Sequence, residues 1–270
     1  MESREILIYL ALLYNGDYRK INDAIQTRCF RRNPVTDKIY ENLNCKAVTS
    51  LDPDYPKCFD HTICQPFVLF YQGNLELLRD QERCITMIGS REASDYVLQE
   101  TERLARELAE DGYVIVSGLA RGVDAAAHRG AIKYGKTIAF LGNGIRRYYP
   151  ADNAPLQDEI GRSGLLISEY PPDVSPAMRH FPARNRLIAA AGKITLCMAA
   201  TPQSGSLITV NFALHDGKEV GCLPDRSTEH SECNQMIKEG AWMIESKEDI
   251  LDMMTGCKKH PGEEKMFPIL

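Results

Sequence analysis

No run of about 18 or more apolar residues occurs in this 270-residue chain, so no transmembrane helix is expected. A C-x-x-C pair is missing, and so are a cluster with metal-ligand spacing, a nucleophile elbow and an internal repeat. The nine cysteines (Cys29, Cys45, Cys58, Cys64, Cys84, Cys197, Cys222, Cys233 and Cys257) are odd in number and irregular in spacing. They argue against a disulfide framework or a zinc site and for a reducing, cytoplasmic setting. Cys84, Cys197 and Cys222 stand in apolar runs and read as core thiols. An overall positive charge is missing as well. The formal net charge is −5, which argues against nonspecific wrapping of nucleic acid by the whole surface while leaving room for a local basic groove. The start, M-E-S-R-E-I-L-I-Y-L-A-L-L-Y, has neither a basic n-region nor a small-residue cleavage site, so it reads as an ordinary first helix.

What remains is an ordinary globular composition, 44% hydrophobic and 26% charged. The length suits one large α/β domain and a small accessory one. Residues 1–62 read as a mostly helical module of the SAM or helix-hairpin type. Ile6, Leu7, Leu10, Leu13 and Tyr14 recur at helical spacing, Asn15-Gly16-Asp17 makes a turn, and short helices follow at about 18–29 and 36–43 around the break at Asn33-Pro34. Packing or protein contact is the ordinary role of such a module, with nucleic-acid contact as the alternative. After the linker-like Leu51–Pro56, a strand is expected at 66–71, stopped by Gly73. Strands at 84–88, 113–117, 137–141, 165–168, 194–199 and 219–223 then alternate with helices at 94–111, 123–134, 152–162, 184–191, 206–216 and 233–239. Such alternation predicts parallel strands in a doubly wound, mostly parallel, Rossmann-like sheet across residues 63–255, followed by a flexible tail at 256–270. Ligands of such sheets bind beyond the carboxyl ends of the strands.

Those strand ends are rich in Gly, Ser and Arg. The first offers Gly89-Ser90-Arg91. The second offers Ser117-Gly118 and then Arg121-Gly122. The third carries Arg146 and Arg147 beside Tyr148 and Tyr149. The fourth leads past Glu169 and Tyr170 to Arg179, His180, Phe181, Arg184, Asn185 and Arg186. The fifth gives Ser204-Gly205-Ser206 at a helix start. A glycine- or serine-rich turn from strand to helix points backbone N–H groups at an anion, and a guanidinium adds a planar fork that fits phosphate. Arginines interleaved with aromatic rings suit single-stranded nucleic acid, where charge holds the backbone and rings stack on bases. Each motif alone has a plainer reading as turn, cap or packing, and their convergence on one edge gives the functional one its force. The G-x-G at Gly142–Gly144 has Arg147 where a dinucleotide fingerprint needs its third glycine. Asp124, His128 and Glu169 can serve a hydrolytic or glycosyl-transfer site. The plainer reading puts Asp124 in a first helical turn and His128 in the packing beneath it.

The ordered motifs I-G-S-R, V-I-V-S-G-L-A-R-G-V-D-A-A-A-H-R-G-A, G-K-T-I-A-F-L-G-N-G, Y-Y-P, L-I-S-E-Y-P-P, H-F-P-A-R-N-R-L-I-A, S-G-S-L-I-T and C-N-Q-M-I-K-E-G-A resemble the DNA-processing protein A family (DprA, also called Smf) from about Tyr55 to Leu251. The resemblance implies an extended Rossmann fold and no catalytic, metal or cofactor site. It implies a homodimer that binds single-stranded DNA in a basic pocket, protects it and loads RecA during natural transformation. Its pocket residues carry over to Gly89, Ser90, Arg91, Ser117, Gly118, Arg121, Phe181, Arg184, Asn185 and Arg186. The convergent loops add Gly122, Arg146, Arg179, Ser204, Gly205 and Ser206 as phosphate contacts. The alternative is a nucleotide-binding Rossmann-like enzyme of the nucleoside-monophosphate phosphoribohydrolase type. The chain departs from the family pattern at Val97, in the strand Cys197-Met198-Ala199-Ala200 and at Asp225. Too few residues follow Leu251 for the winged-helix-like domain of some members.

Overall fold

A computed structural model describes residues 1–226 and 231–256. The expected tail therefore lies, apart from Gly256, outside the described residues. Three helices open the chain: α1 (Ser3–Leu13), α2 (Tyr18–Thr27) and α3 (Pro34–Glu41). Asp17 caps α2 by accepting from the amides of Arg19 and Lys20, and Asn33 caps α3 ahead of a proline in its first turn. Their apolar faces close over Leu7, Ile8, Leu10, Ile21 and Ala24 and onto Val68 and Phe70 of the sheet.

That sheet has nine strands among the described residues. Two run antiparallel at one edge, β1 (Lys46–Thr49) and β2 (Val68–Gly73). The parallel core follows in chain order as β3 (Cys84–Gly89), α4 (Asp95–Glu110), β4 (Val114–Ser117), α5 (Val123–Ile132), β5 (Thr137–Phe140), α6 (Ala154–Ser163), β6 (Leu165–Ser168), α7 (His180–Ala191), β7 (Ile194–Ala199), α8 (Gly205–His215), β8 (Val220–Cys222), α9 (Glu232–Lys238), β9 (Trp242–Met243) and α10 (Lys247–Thr255). The spatial order is β1-β2-β6-β5-β4-β3-β7-β8-β9. The mostly parallel, doubly wound sheet expected from the alternation is thus present. Succession runs one way from β3 to β6 and restarts on the other side of β3 with β7. Such a reversal opens a crevice at the carboxyl ends of the two strands concerned.

Both faces of the sheet are covered, which explains why its strands read as continuous apolar runs. Cys84, Ile88, Val114, Val116, Ile138 and Phe140 pack with residues of α7 and α8 on one side. Ile85, Met87, Ile115, Ile194 and Leu196 pack with residues of α4, α5 and α10 on the other. Full burial of a side chain of this size is worth about 1.5–3 kcal/mol, so these two layers carry most of the stability.

Three local differences from expectation have physical reasons. The span 1–62 contributes β1 to the sheet; four residues at an edge, with only Val48 and Thr49 buried, give little periodic signal. Helix α7 starts at His180 rather than 184. Pro182 falls in its first turn, where a missing N–H costs nothing, so a sequence that reads as loop is helical. Strand β9, two residues long, and helix α10 complete the far edge beyond the last expected element.

Candidate functional site

The crevice between the ends of β3 and β7 encloses about 340 Å³. Its walls are the turn Gly89-Ser90-Arg91, the α7 residues Phe181, Arg184 and Asn185, and the start of α8 at Ser204-Gly205-Ser206. Asp124 reaches it from α5, and Met178 and Ile208 bring apolar surface to it. Nine of the sixteen residues expected to bind DNA or its phosphates are therefore brought together here. The other seven do not line the crevice.

The two glycine turns that the sequence presents as separate phosphate loops are interlocked. The Val123 amide donates to the Ser90 carbonyl at 3.2 Å. Gly122 has φ +72°, and a Cβ placed there would lie 2.3 Å from the Ser90 carbonyl oxygen, so only glycine fits between the turns. Leu119 adopts a left-handed φ of 57° in the same turn and is fully buried. Asn153 Nδ2 fixes that turn by donating to the carbonyls of Leu119 and Ala120. Ser117 is likewise structural, since its buried hydroxyl donates to the Met87 carbonyl at 2.6 Å. The second turn thus buttresses the first, and the first faces the crevice.

The arginines differ sharply in what they touch. Arg91 is exposed on the crevice wall and has no ion pair among the described residues. Arg184 is buried; its Nη1 donates to the carbonyls of Gly118, at 2.6 Å, and Phe140. Burial lowers its pKa to about 10, with Asp124 opposing and Arg91 reinforcing the shift, so it stays charged at neutral pH. Burial raises the Asp124 carboxyl above the usual range, against the pull of Arg184 and of the backbone amides of Ala120 and Gly118. Arg186 faces away and forms a two-bonded pair with Glu169, both contacts at 2.6 Å, and donates to the carbonyls of Ile63, Cys64 and Ala183. Arg121 pairs with Asp152 at 2.7 Å on open surface. Arg146 pairs with Asp173 at 3.0 Å and donates to the Asn44 carbonyl. Arg179 is exposed at the start of α7, without an ion pair among the described residues.

Ser204 occupies the N-cap position of α8, yet its side chain makes no capping bond. Its Oγ is buried and has no partner among the described residues. A buried hydroxyl without a partner loses the free energy of its hydrogen bonds to water, so this one costs the fold stability where it stands. Phe181 adds an aromatic edge, with the exposed Tyr149 ring 5.1 Å away at a 31° tilt.

The groups of the alternative enzymatic reading are dispersed. Glu169 is held by Arg186. His128 is fully buried and absent from the crevice lining. The Thr137 hydroxyl donates to the Ile115 carbonyl, so His128 Nδ1 donates to Thr137 Oγ1 at 2.7 Å and the ring is neutral, its pKa lowered by burial to about 3. Only Asp124 of the three reaches the crevice. Among the described residues no group of three or more His, Cys, Asp or Glu could hold a metal ion. Met178 and Ile208 were missed in the sequence. Ile208 lies one turn after Gly205 and was legible as sharing its face, whereas Met178 belongs to no pattern.

The family model for DNA recombination-mediator protein A matches residues 46–255. The chain belongs to this family. The DNA processing protein DprA of Streptococcus pneumoniae is 37% identical to it over 237 residues, 87% of this chain and 79% of that one. Protein Smf of a Synechocystis strain is 36% identical over 236 residues, 85% of this chain and 59% of that longer one. In solved structures, the Streptococcus pneumoniae DprA superposes with a TM-score of 0.75 at 33% identity, covering 92% of each chain. DprA of Helicobacter pylori, whose structure was determined for its single-stranded DNA binding mode, superposes with a TM-score of 0.72 at 33% identity over 79% of this chain and 96% of that one. The resemblance carried by the motifs is thereby confirmed at the level of the family, and the DprA fold with it. No helix among the described residues is long and apolar enough to cross a membrane.

Proposed function

We propose that this DprA family member binds single-stranded DNA in the crevice between β3 and β7 and acts as a recombination mediator without catalysing a reaction. The observation that carries the reading is the composition of the crevice. Arg91, without an ion pair among the described residues, a charged Arg184 and the small-residue start of α8 at Ser204-Gly205-Ser206 line the same space as Phe181, Met178 and Ile208. Phosphate needs the first set, and an unstacked base needs the second. The Helicobacter pylori relative with its single-stranded DNA binding mode supports the same occupant. The separation of Asp124, His128 and Glu169 favours this reading over a phosphoribohydrolase.

In this reading Arg91 and the start of α8 hold phosphates while Phe181 shapes the base site. Gly118, Gly122 and Ser117 act by fixing the turn behind Arg91. The protein works as a cytoplasmic homodimer that protects incoming single strands and passes them to RecA in natural transformation, as the family resemblance implies. Fluorescence anisotropy with a labelled oligothymidine tests the binding. Arg91→Ala is expected to weaken it about tenfold and to make the log–log salt slope less steep by about 0.7, the value for one phosphate contact on a single strand. Unchanged affinity and slope contradict the assignment. Light scattering and RecA filament-nucleation assays test the assembly and the hand-off.

A further inference from the structure

The chain is acidic overall, yet its charge is unevenly placed. Between Tyr18 and Lys46 there are seven Lys or Arg residues against three Asp or Glu. Two of the seven, Arg19 and Lys20, stand in the first turn of α2, which contains no acid. Both are exposed and neither has an ion pair among the described residues. The positive end of a helix dipole disfavours cations, so these two give α2 no stability there; the cap is supplied by Asp17 instead.

The location of that turn gives the charges a use. The turn before α2 is seated on the carboxyl end of β6, where a Cβ at Gly16 would lie 2.7 Å from the Glu169 carbonyl oxygen and 3.1 Å from the Tyr170 ring. Tyr18 stacks on Phe67 with ring centroids 5.1 Å apart, which fixes the start of the helix. Tyr170 in turn stacks on His180 at 4.0 Å, the first residue of α7, and Arg179 is near enough for its charge to act on the Tyr170 hydroxyl. The next residue along α7 is Phe181, in the crevice wall. Contacts thus run from the crevice wall, which holds Arg91, along the start of α7, which Arg179 precedes, to the turn before α2, whose first turn carries Arg19 and Lys20.

We propose that the first turn of α2 is a second phosphate-contacting surface, on which a single strand leaving the crevice past Arg179 continues onto Arg19 and Lys20. The proposal rests on the crevice reading for the direction of the strand, and it gives the N-terminal helices a share in nucleic-acid binding. A track of separated cations adds affinity only for a strand long enough to reach all of them, so its signature is dependence on length.

The experiment uses the full chain and labelled oligothymidines of about 6 and about 20 nucleotides, spanning the range of single-strand site sizes. The double variant Arg19→Ala/Lys20→Ala is expected to bind the long oligonucleotide about tenfold more weakly, with a salt slope less steep by about 1.4 for two lost contacts, and to bind the short one as wild type does. Arg28→Ala/Arg31→Ala removes the same charge from the other end of α2 and is expected to leave both affinities unchanged. Thermal unfolding of both variants checks that the helices stay folded. An unaffected long oligonucleotide overturns the proposal. So does an equal loss for both lengths, which places the effect in the crevice or the fold, and so does an equal loss in the Arg28/Arg31 variant, which marks diffuse attraction. Failure of the wild type to bind the short oligonucleotide while the double variant still loses the long one sinks the crevice reading and supports the track.

Discussion

Arg184 and Arg186 are two residues apart on one helix and have opposite surroundings. Residues at i and i+2 point about 200° apart, so one side chain turns towards the crevice and the other towards Glu169 and the carbonyls of Ile63 and Cys64. Arg186 is saturated: Glu169 takes two of its N–H groups at 2.6 Å, and the carbonyls of Ile63, Cys64 and Ala183 take the rest of its contacts. Arg184 directs Nη1 at the carbonyls of Gly118 and Phe140 and Nε at the Asn185 side-chain oxygen, 3.3 Å away, which leaves Nη2 without a partner among the described residues, and it keeps its charge beside Asp124 on the crevice wall. The difference teaches that arginine density in a motif does not measure ligand contact. A guanidinium whose donors are all met inside the protein stabilises the fold, and one with donors left over is available to a phosphate.

The comparison breaks most visibly at the saturated pair. Arg186 and Glu169 side chains are 8% and 11% exposed, so Glu169→Ala leaves an uncompensated buried charge. A loss of about 3–5 kcal/mol is expected in urea unfolding, while the protein that remains folded binds single-stranded DNA with wild-type affinity. A small stability change together with weakened binding would place the pair in the site after all.

His128 gives a smaller effect with a defined pH window. The unfolded imidazole takes up a proton around pH 6.5, and the folded one resists down to about 3. Within that interval the unfolded state binds the additional proton. The stability due to neutral His128 is complete above the upper value and falls by about 1.4 kcal/mol per pH unit as the medium is acidified. His128→Gln is therefore expected to lose stability less steeply between about pH 6 and pH 4, as urea midpoints would show. Parallel curves for the two proteins would mean that the ring is not held neutral.

Arg121 marks the lower end. Its pair with Asp152 is exposed on both sides, 61% and 67%, and such pairs contribute about 0.2–1 kcal/mol. Arg121→Ala is expected to change stability by less than 1 kcal/mol and DNA affinity by less than Arg91→Ala does. A larger loss of affinity would extend the binding surface over the start of α5.

Most of the sheet was legible because both of its faces are buried, which turns strands such as Cys84–Gly89 and Ile194–Ala199 into unbroken apolar runs. The short edge strands were not, since β1 buries two residues and β9 none. Of the candidate site, the strand-end turns and the α8 start were readable from small residues at the right spacing. The inward and outward sense of the α7 arginines was not. It depends on where the helix begins, and Phe181-Pro182 hides a start at His180. The mutual support of the two glycine turns was hidden as well, because it arises from a contact between Ser90 and Val123 that no local pattern encodes.

The central claim is that unmet donors at the crevice, Arg91 foremost, hold single-stranded DNA. Its most direct test is the salt dependence of oligothymidine affinity for wild type and Arg91→Ala, read by anisotropy. The account predicts weaker binding by about tenfold, a slope less steep by about 0.7 and unchanged thermal stability in the variant. Superimposable salt titrations for the two proteins would contradict it.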